Sequence, residues 1–151
     1  MGIIFKVEPK LINEALSEYV PGMNRSQLEK TEHNILILDA YNANPSSMKV
    51  AIENFAEHKA NDKLLILGDM FELGEYSQEE HKKIVSLLLQ YHFKDVILIG
   101  PEFSKANPTH FKIFLSTNDC LTYLKEQKIK NKTILIKGSR GMKLEGLKET
   151  L

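Results

Sequence analysis

Three short polar segments carry the side chains best suited to bind a charged ligand. They are residues 39–44, 68–74 and 138–141; the first two directly follow runs of aliphatic residues, and the third follows such a run after Lys137. Together they supply carboxylates, carboxamides, a hydroxyl and a guanidinium. Runs of aliphatic residues are typical of strands buried on both faces of a parallel sheet. Because ligands bind outside the carboxyl ends of such strands, we expect the three segments to form one binding rim.

The first segment joins the end of a strand to the start of a helix. Asp39 follows four aliphatic residues, and Asn44 precedes Pro45 in the order expected for an N-cap and a first helical residue. A helix N-terminus presents backbone N–H groups, and its dipole favours anions. The segment therefore indicates an anion or nucleotide site. The alternative is that Asp39, Asn42 and Asn44 only shape the turn.

Arg140 is the residue of these segments that is hardest to explain by structure alone. It follows Ser139 and precedes a glycine, and a guanidinium can bind a carboxylate through two parallel N–H donors.

The acidic residues of the second segment, Asp69 and Glu72, could bind a ligand or could simply be a solvated pair in a loop. Both interpretations stay open from the residues alone.

Alternating strand and helix patterns position these segments. Strands are predicted at residues 26–30, 35–38, 63–67, 95–100, 111–115 and 133–136, and helices at 8–19, 47–58, 77–91, 117–127 and shortly after Gly141. This alternation predicts an α/β fold with a doubly wound, mostly parallel, Rossmann-like sheet. The three-residue turn between the first two strands predicts an N-terminal antiparallel hairpin strand.

Finer local features are also expected from the sequence. Ser77 and Glu80 have the spacing of a capping box, Thr117 is expected to cap its helix, and residues 101–108 are expected to be a loop. The single cysteine, Cys120, is expected to pack as a small apolar side chain rather than to react.

Charge and hydropathy exclude several classes of function. The 151 residues contain 20 basic and 20 acidic side chains, so no long-range field attracts nucleic acid or an anionic membrane. No apolar run approaches the length of a membrane span, and we expect a cytoplasmic protein. The phosphate-binding pattern G-x-x-x-x-G-K-[ST] does not occur. The scattered histidines have no metal-ligand spacing.

Four segments in order resemble the last domain of the bacterial Mur ligases. They are residues 24–27, 39–48, 67–74 with His81 following, and 137–140. The resemblance extends from about residue 11 onward, and the sequence Tyr-Asn-Ala-Asn at residues 41–44 favours the dipeptide-adding member of the family. It implies that residues 1–22 are the tail of a preceding domain or a linker helix. Residues 23–151 would then be the C-terminal domain, which closes on ATP and substrate.

The resemblance also implies roles for individual residues. Asp39 matches the acid that binds the ATP ribose, and Arg25 matches the arginine that lies against the adenine. The residues implied to bind ATP are Arg25, Asp39, Tyr41, Asn42 and Asn44, and those implied to bind substrate are Asp69, Glu72, Lys137, Ser139 and Arg140. No catalytic residue and no metal ligand is implied in this domain, and His81 receives no physical role.

The implied cofactors are ATP and Mg²⁺ in the full enzyme, with none bound tightly by this domain alone. The implied partners are the enzyme's own N-terminal UDP-binding and central ATPase domains and its small-molecule substrates, without nucleic acid or a membrane span. The isolated domain is expected to be inactive.

Two alternatives stay open: a free-standing α/β nucleotide-binding or regulatory module, and the C-terminal domain of a related amino-acid or folate ligase. A receiver-like module would need a phosphorylatable aspartate after the third strand of the parallel series, where Gly100-Pro101 stands instead.

Overall fold

A six-stranded sheet organises the part of the chain that the computed structural model describes, which is residues 27–60, 62–106 and 109–151. The strands are β1 (Gln27–Lys30), β2 (Ile35–Asp39), β3 (Lys63–Gly68), β4 (Asp95–Ile99), β5 (Lys112–Phe114) and β6 (Thr133–Lys137), in the spatial order β1-β2-β6-β3-β4-β5. Only β1 is antiparallel to its neighbour. The predicted fold class and the hairpin strand are confirmed. The predicted helix at residues 8–19 lies outside the described residues.

Helices cover both faces of this sheet. They are α1 (Pro45–Glu57), α2 (Ser77–Gln90), α3 (Pro101–Lys105) and α4 (Thr117–Gln127), with 3-10 segments at Gly74–Tyr76, Arg140–Met142 and Leu144–Thr150. One apolar cluster lies between the sheet and the first three helices, and a second lies between the sheet, α4 and the C-terminal 3-10 segment. Among the described residues, none of the helices is both long enough and apolar enough to cross a bilayer.

Three local predictions were wrong. The prediction of a loop at residues 101–108 missed α3, which begins at Pro101. Ser77 does not form a capping box, because the preceding 3-10 turn runs directly into α2 and leaves Tyr76 in helical geometry at the N-cap. The Ser77 hydroxyl donates instead to a Glu102 carboxylate oxygen at 2.8 Å. Ser116, not Thr117, caps α4, and its side chain accepts from the backbone N–H of Asp119.

Cys120 lies in the second apolar cluster with no exposed surface. Burial raises the pKa of its thiol to about 12, so the nucleophilic thiolate is scarce at neutral pH. We expect the native chain to resist a thiol-specific reagent at pH 8 and to react fully once it is unfolded in denaturant. Rapid labelling of the native chain would contradict this packing.

Candidate functional site

The carboxyl ends of β2, β6 and β3 bring the three polar segments together. Asp39 is in register with Lys137 across β2 and β6, and Lys137 is in register with Leu67 across β6 and β3. All three segments therefore leave the sheet at one edge, as the sequence predicted. This edge, formed by residues 39–44, 68–74 and 138–141, is called the carboxyl rim below.

An ion pair joins β2 and β6, the strands that lead into the first and third segments of the rim. The Lys137 Nζ donates to Asp39 Oδ2 at 2.6 Å and to the Asn42 carbonyl at 3.2 Å. The Lys137 side chain is 2% exposed, whereas the Asp39 side chain is 20% exposed. The resemblance implied ATP as the ligand of Asp39 and substrate as the ligand of Lys137, and the structure places the two side chains in contact. A direct substrate contact by Lys137 stays a prediction.

The segment after Asp39 ends in a capped helix. The Asn44 side chain accepts from the backbone N–H of Ser47 at 2.8 Å, and the Ser47 hydroxyl accepts from the backbone N–H of Asn44 at 3.1 Å. The predictions that Asn44 is the N-cap and Pro45 the first helical residue are confirmed. This reciprocal pair satisfies two backbone donors and fixes the direction in which the segment enters α1.

Arg140 reaches across the rim to the first segment. Its Cζ lies 5.3 Å from the centre of the Tyr41 ring, within the range of a cation–π contact. The Arg140 side chain is exposed and that of Tyr41 is half-buried. A residue implied to bind substrate and one implied to bind ATP are thus neighbours, so the rim presents both sides of the predicted site on one surface.

Asp69 is buried under the rim rather than presented on it. Its two carboxylate oxygens accept from the backbone N–H groups of Glu102 and Phe103, each at 2.9 Å, at the start of α3. Burial raises the pKa of this carboxyl, and the two N–H groups oppose that effect by stabilising the anion. These bonds give Asp69 a structural role. The sequence did not predict it, because the partners lie more than 30 residues away in the chain. A substrate contact by Asp69 stays a prediction that its burial disfavours.

His81 fastens the second segment to α2. Its Nδ1 lies 2.7 Å from the Ser77 carbonyl, and its Nε2 accepts from the backbone N–H of Met70 at 3.1 Å. Because a carbonyl only accepts and an amide N–H only donates, the proton belongs on Nδ1 and the ring is neutral. The ring is fully buried and packs edge-on against Phe103, with ring centres 4.6 Å apart. The spacing from Ser77 to His81 was visible in the sequence, but the contact with Met70 was not.

Ser139 ties the third segment to the second. Its hydroxyl accepts from the backbone N–H of Phe71 at 2.8 Å, and its own N–H donates to the Asp69 carbonyl at 3.1 Å. Ser139 is buried, whereas Glu72 is exposed with a left-handed φ of 65°. The position of Arg140 therefore depends on the second segment, which His81 and Asp69 hold in place.

The remaining predicted ligands can be placed only in part. Asn42 and Asn44 are exposed on the first segment. Arg25 lies outside the described residues; the first described residue, Gln27, pairs with Leu38 at the rim end of β2. Within residues 27–60, 62–106 and 109–151, no group of histidine, cysteine and acidic side chains is arranged to hold a metal ion.

A family model and a curated relative match this chain. The model for the glutamate ligase domain of the Mur ligases matches residues 24–140. The UDP-N-acetylmuramoyl-tripeptide--D-alanyl-D-alanine ligase of Bacillus subtilis (strain 168) is 34% identical over 164 residues, which cover 99% of this chain and 35% of that protein. The chain thus spans about a third of the length of this relative. These matches do not support a receiver-like module.

Solved structures agree with these matches. A crystal structure of MurF from Acinetobacter baumannii superposes with a TM-score of 0.83 at 25% identity, covering 98% of this chain and 34% of that one. MurF ligase from Thermotoga maritima in complex with ADP gives a TM-score of 0.80 at 20% identity, covering 99% of this chain and 34% of that one, and shows the shared fold. The chain belongs to the Mur ligase family, and residues 24–140 are its glutamate ligase domain.

Proposed function

We propose that this chain is the C-terminal domain of an ATP-dependent ligase that joins D-alanyl-D-alanine to UDP-N-acetylmuramoyl-tripeptide in the cytoplasm, a step of peptidoglycan synthesis. Residues 23–151 form the domain, and residues 1–22 are the tail of the preceding one. The observation that carries the proposal is the convergence of the three family segments on the carboxyl rim. The name of the Bacillus subtilis relative supports the choice of substrates. The longer protein is called the full-length ligase below.

One side of the rim serves ATP. Asp39 stands at the end of β2 with its carboxylate partly exposed, where it accepts hydrogen bonds from the ribose, and Arg25 lies against the adenine. Tyr41, Asn42 and Asn44 form the wall next to them. ATP supplies the γ-phosphoryl group that activates the tripeptide carboxylate as an acyl phosphate. The ADP in the Thermotoga maritima structure supports the choice of nucleotide.

Phosphate and Mg²⁺ binding belong to the central ATPase domain of the full-length ligase. This sequence has no G-x-x-x-x-G-K-[ST] loop, and its described residues form no cluster of metal ligands. An N-terminal UDP-binding domain holds the tripeptide precursor. The C-terminal domain therefore completes a site whose reactive phosphates are bound by another domain, and alone it is inactive.

The other side of the rim serves the dipeptide. The exposed Arg140 guanidinium binds the carboxylate of D-alanyl-D-alanine through two N–H donors, and Ser139 fixes the backbone from which it projects. Glu72, which is exposed on the second segment, contacts the dipeptide as well, and the buried Asp69 supports that segment from beneath. Closure of the domain places the dipeptide amine next to the acyl phosphate and excludes water. Its contribution is proximity and gating rather than acid–base chemistry.

Asp39→Asn in the full-length ligase should raise the Michaelis constant for ATP more than that for the dipeptide. Losing one charge-assisted hydrogen bond costs about 1.5 to 3 kcal/mol, which is roughly tenfold or more in affinity. Initial rates measured against each substrate in turn give the two constants, and a melting curve checks that the variant is folded. An unchanged constant for ATP would reject the ribose assignment.

Arg140→Lys should raise the Michaelis constant for D-alanyl-D-alanine roughly tenfold while leaving that for ATP nearly unchanged, because an ammonium cannot form the paired N–H contact. If Arg140 serves only as a surface charge, lysine should cost no more than about 1 kcal/mol. Lys143→Arg is the matched control, since Lys143 is also exposed and lies three residues further along. Equal constants in all three proteins would make Arg140 structural.

A further inference from the structure

A buried lysine lies directly beneath the ATP side of the carboxyl rim. Among the described residues, Lys137 is the one lysine or arginine whose side chain is buried. Lysine is almost never fully buried unless it is paired. The pair here joins two strands that are neighbours in the sheet but 98 residues apart in the chain.

Stability alone does not account for this ion pair. Removing an ammonium from water is costly, and replacing a buried ion pair by apolar side chains of similar volume is often neutral or stabilising. Lys137 shares its face of the sheet with Leu135 on β6 and with its register partner Leu67 on β3, and both leucines belong to the first apolar cluster. A methionine at position 137 would suit such a core. We therefore look for the role of the ammonium group in the residues to which it donates hydrogen bonds.

Both partners of Lys137 belong to the segment that leads to α1. Its Nζ donates to the Asp39 carboxylate and to the Asn42 carbonyl, and an ammonium has only donors to offer. Two residues further along, Asn44 caps α1. One side chain on β6 thus fixes the beginning of the segment, and the helix fixes its end.

We propose that Lys137 is a positioning residue for the nucleotide: it orients the Asp39 carboxylate and the residue 41–44 backbone for the ATP ribose and does not itself bind the dipeptide. This inference rests on the proposed function and replaces the substrate contact that the family resemblance implied for Lys137. The 2% exposure of its side chain supports it, because a ligand would first have to separate Lys137 from Asp39.

Kinetics of the full-length ligase distinguish the two roles. Lys137→Met keeps a similar length without charge and should raise the Michaelis constant for ATP roughly tenfold, with that for D-alanyl-D-alanine changed less than about twofold. The double variant Asp39→Asn/Lys137→Met should be no worse than the more impaired single variant, because both act through one carboxylate. Lys143→Met, which removes an exposed lysine outside the rim, should change neither constant.

Two kinetic results would overturn the proposal. A raised constant for the dipeptide with an unchanged constant for ATP would make Lys137 a direct substrate ligand. Effects of Lys137→Met and Asp39→Asn that multiply in the double variant would show that Lys137 acts independently of Asp39.

Hydrogen exchange on the 151-residue chain tests whether Lys137 fixes residues 41–44, and it requires no enzymatic activity. Lys137→Met should speed amide exchange at residues 41–44 at least tenfold, while amides of β3 and β4 keep their parental rates. If Lys137→Met unfolds the chain, the double variant, which has neither charge, is measured in its place. Parental exchange at residues 41–44 would overturn the proposal. Absence of ligase activity in the parent would instead refute the proposed function, with the exchange result still standing.

Discussion

Replacing Gly100 by alanine is expected to destabilise the domain by about 2 to 5 kcal/mol, because backbone strain and steric overlap act together. Gly100 has a φ of 122°, a conformation that residues with a side chain rarely adopt. An added Cβ would lie 2.2 Å from Asp69 Oδ2. The carboxylate cannot move away cheaply, since it holds the backbone N–H groups of Glu102 and Phe103.

Gly74→Ala is the matched control for this prediction. Gly74 also has a positive φ, 54°, but an added Cβ would meet nothing within 4 Å. Its expected cost is therefore only the left-handed penalty of about 1 to 2 kcal/mol. Urea denaturation of the 151-residue chain measures both free energies of unfolding. Equal losses for the two variants would mean that the packing of Asp69 against Gly100 is not as described.

Removing the His81 ring is expected to cost about 2 to 4 kcal/mol, because it leaves a cavity and removes the acceptor of a buried backbone N–H group. That group is the Met70 N–H, which donates to Nε2, and the contact of Nδ1 with the Ser77 carbonyl is lost as well. His81→Ala tests the whole effect. His81→Phe keeps a ring against Phe103 and isolates the lost hydrogen bonds, so it should recover only part of the loss.

His110→Ala is the control for His81, because His110 is exposed. It should change the free energy of unfolding by less than about 0.5 kcal/mol. The His81 variants should also raise the Michaelis constant for the dipeptide in the full-length ligase, since His81 holds the segment to which Ser139 is bonded. If the His81→Ala chain is as stable as the parent, His81 does not stabilise the carboxyl rim.

Local sequence patterns were sufficient for most of the sheet. The buried strands are runs of aliphatic residues, and the start of α1 depends on Asn44 and Pro45, which are neighbours in the chain. The α3 helix was missed because its N-terminus is capped by the Asp69 carboxylate from the end of another strand. Pro101 was therefore taken for the start of a loop.

The candidate site shows the same limit. Its place at the ends of three strands followed from the alternation of strands and helices, because the topology of such sheets is restricted. The contact between Lys137 and Asp39 spans 98 residues, and that between His81 and Met70 depends on how α2 packs. No local pattern encodes either contact. The resemblance implied that Asp69 and Lys137 bind substrate, which stays a prediction, and nothing in the local sequence indicated that both side chains are buried.

Phosphate release from ATP that depends on D-alanyl-D-alanine tests the central claim most directly. It should be measured for the full-length ligase with UDP-N-acetylmuramoyl-tripeptide present, for the same protein without residues 23–151, and for the 151-residue chain alone. We predict release by the full-length ligase only when the dipeptide is supplied, and background rates for the other two proteins. Dipeptide-dependent release by the protein that lacks residues 23–151, or ATP turnover by the 151-residue chain alone, would contradict the account.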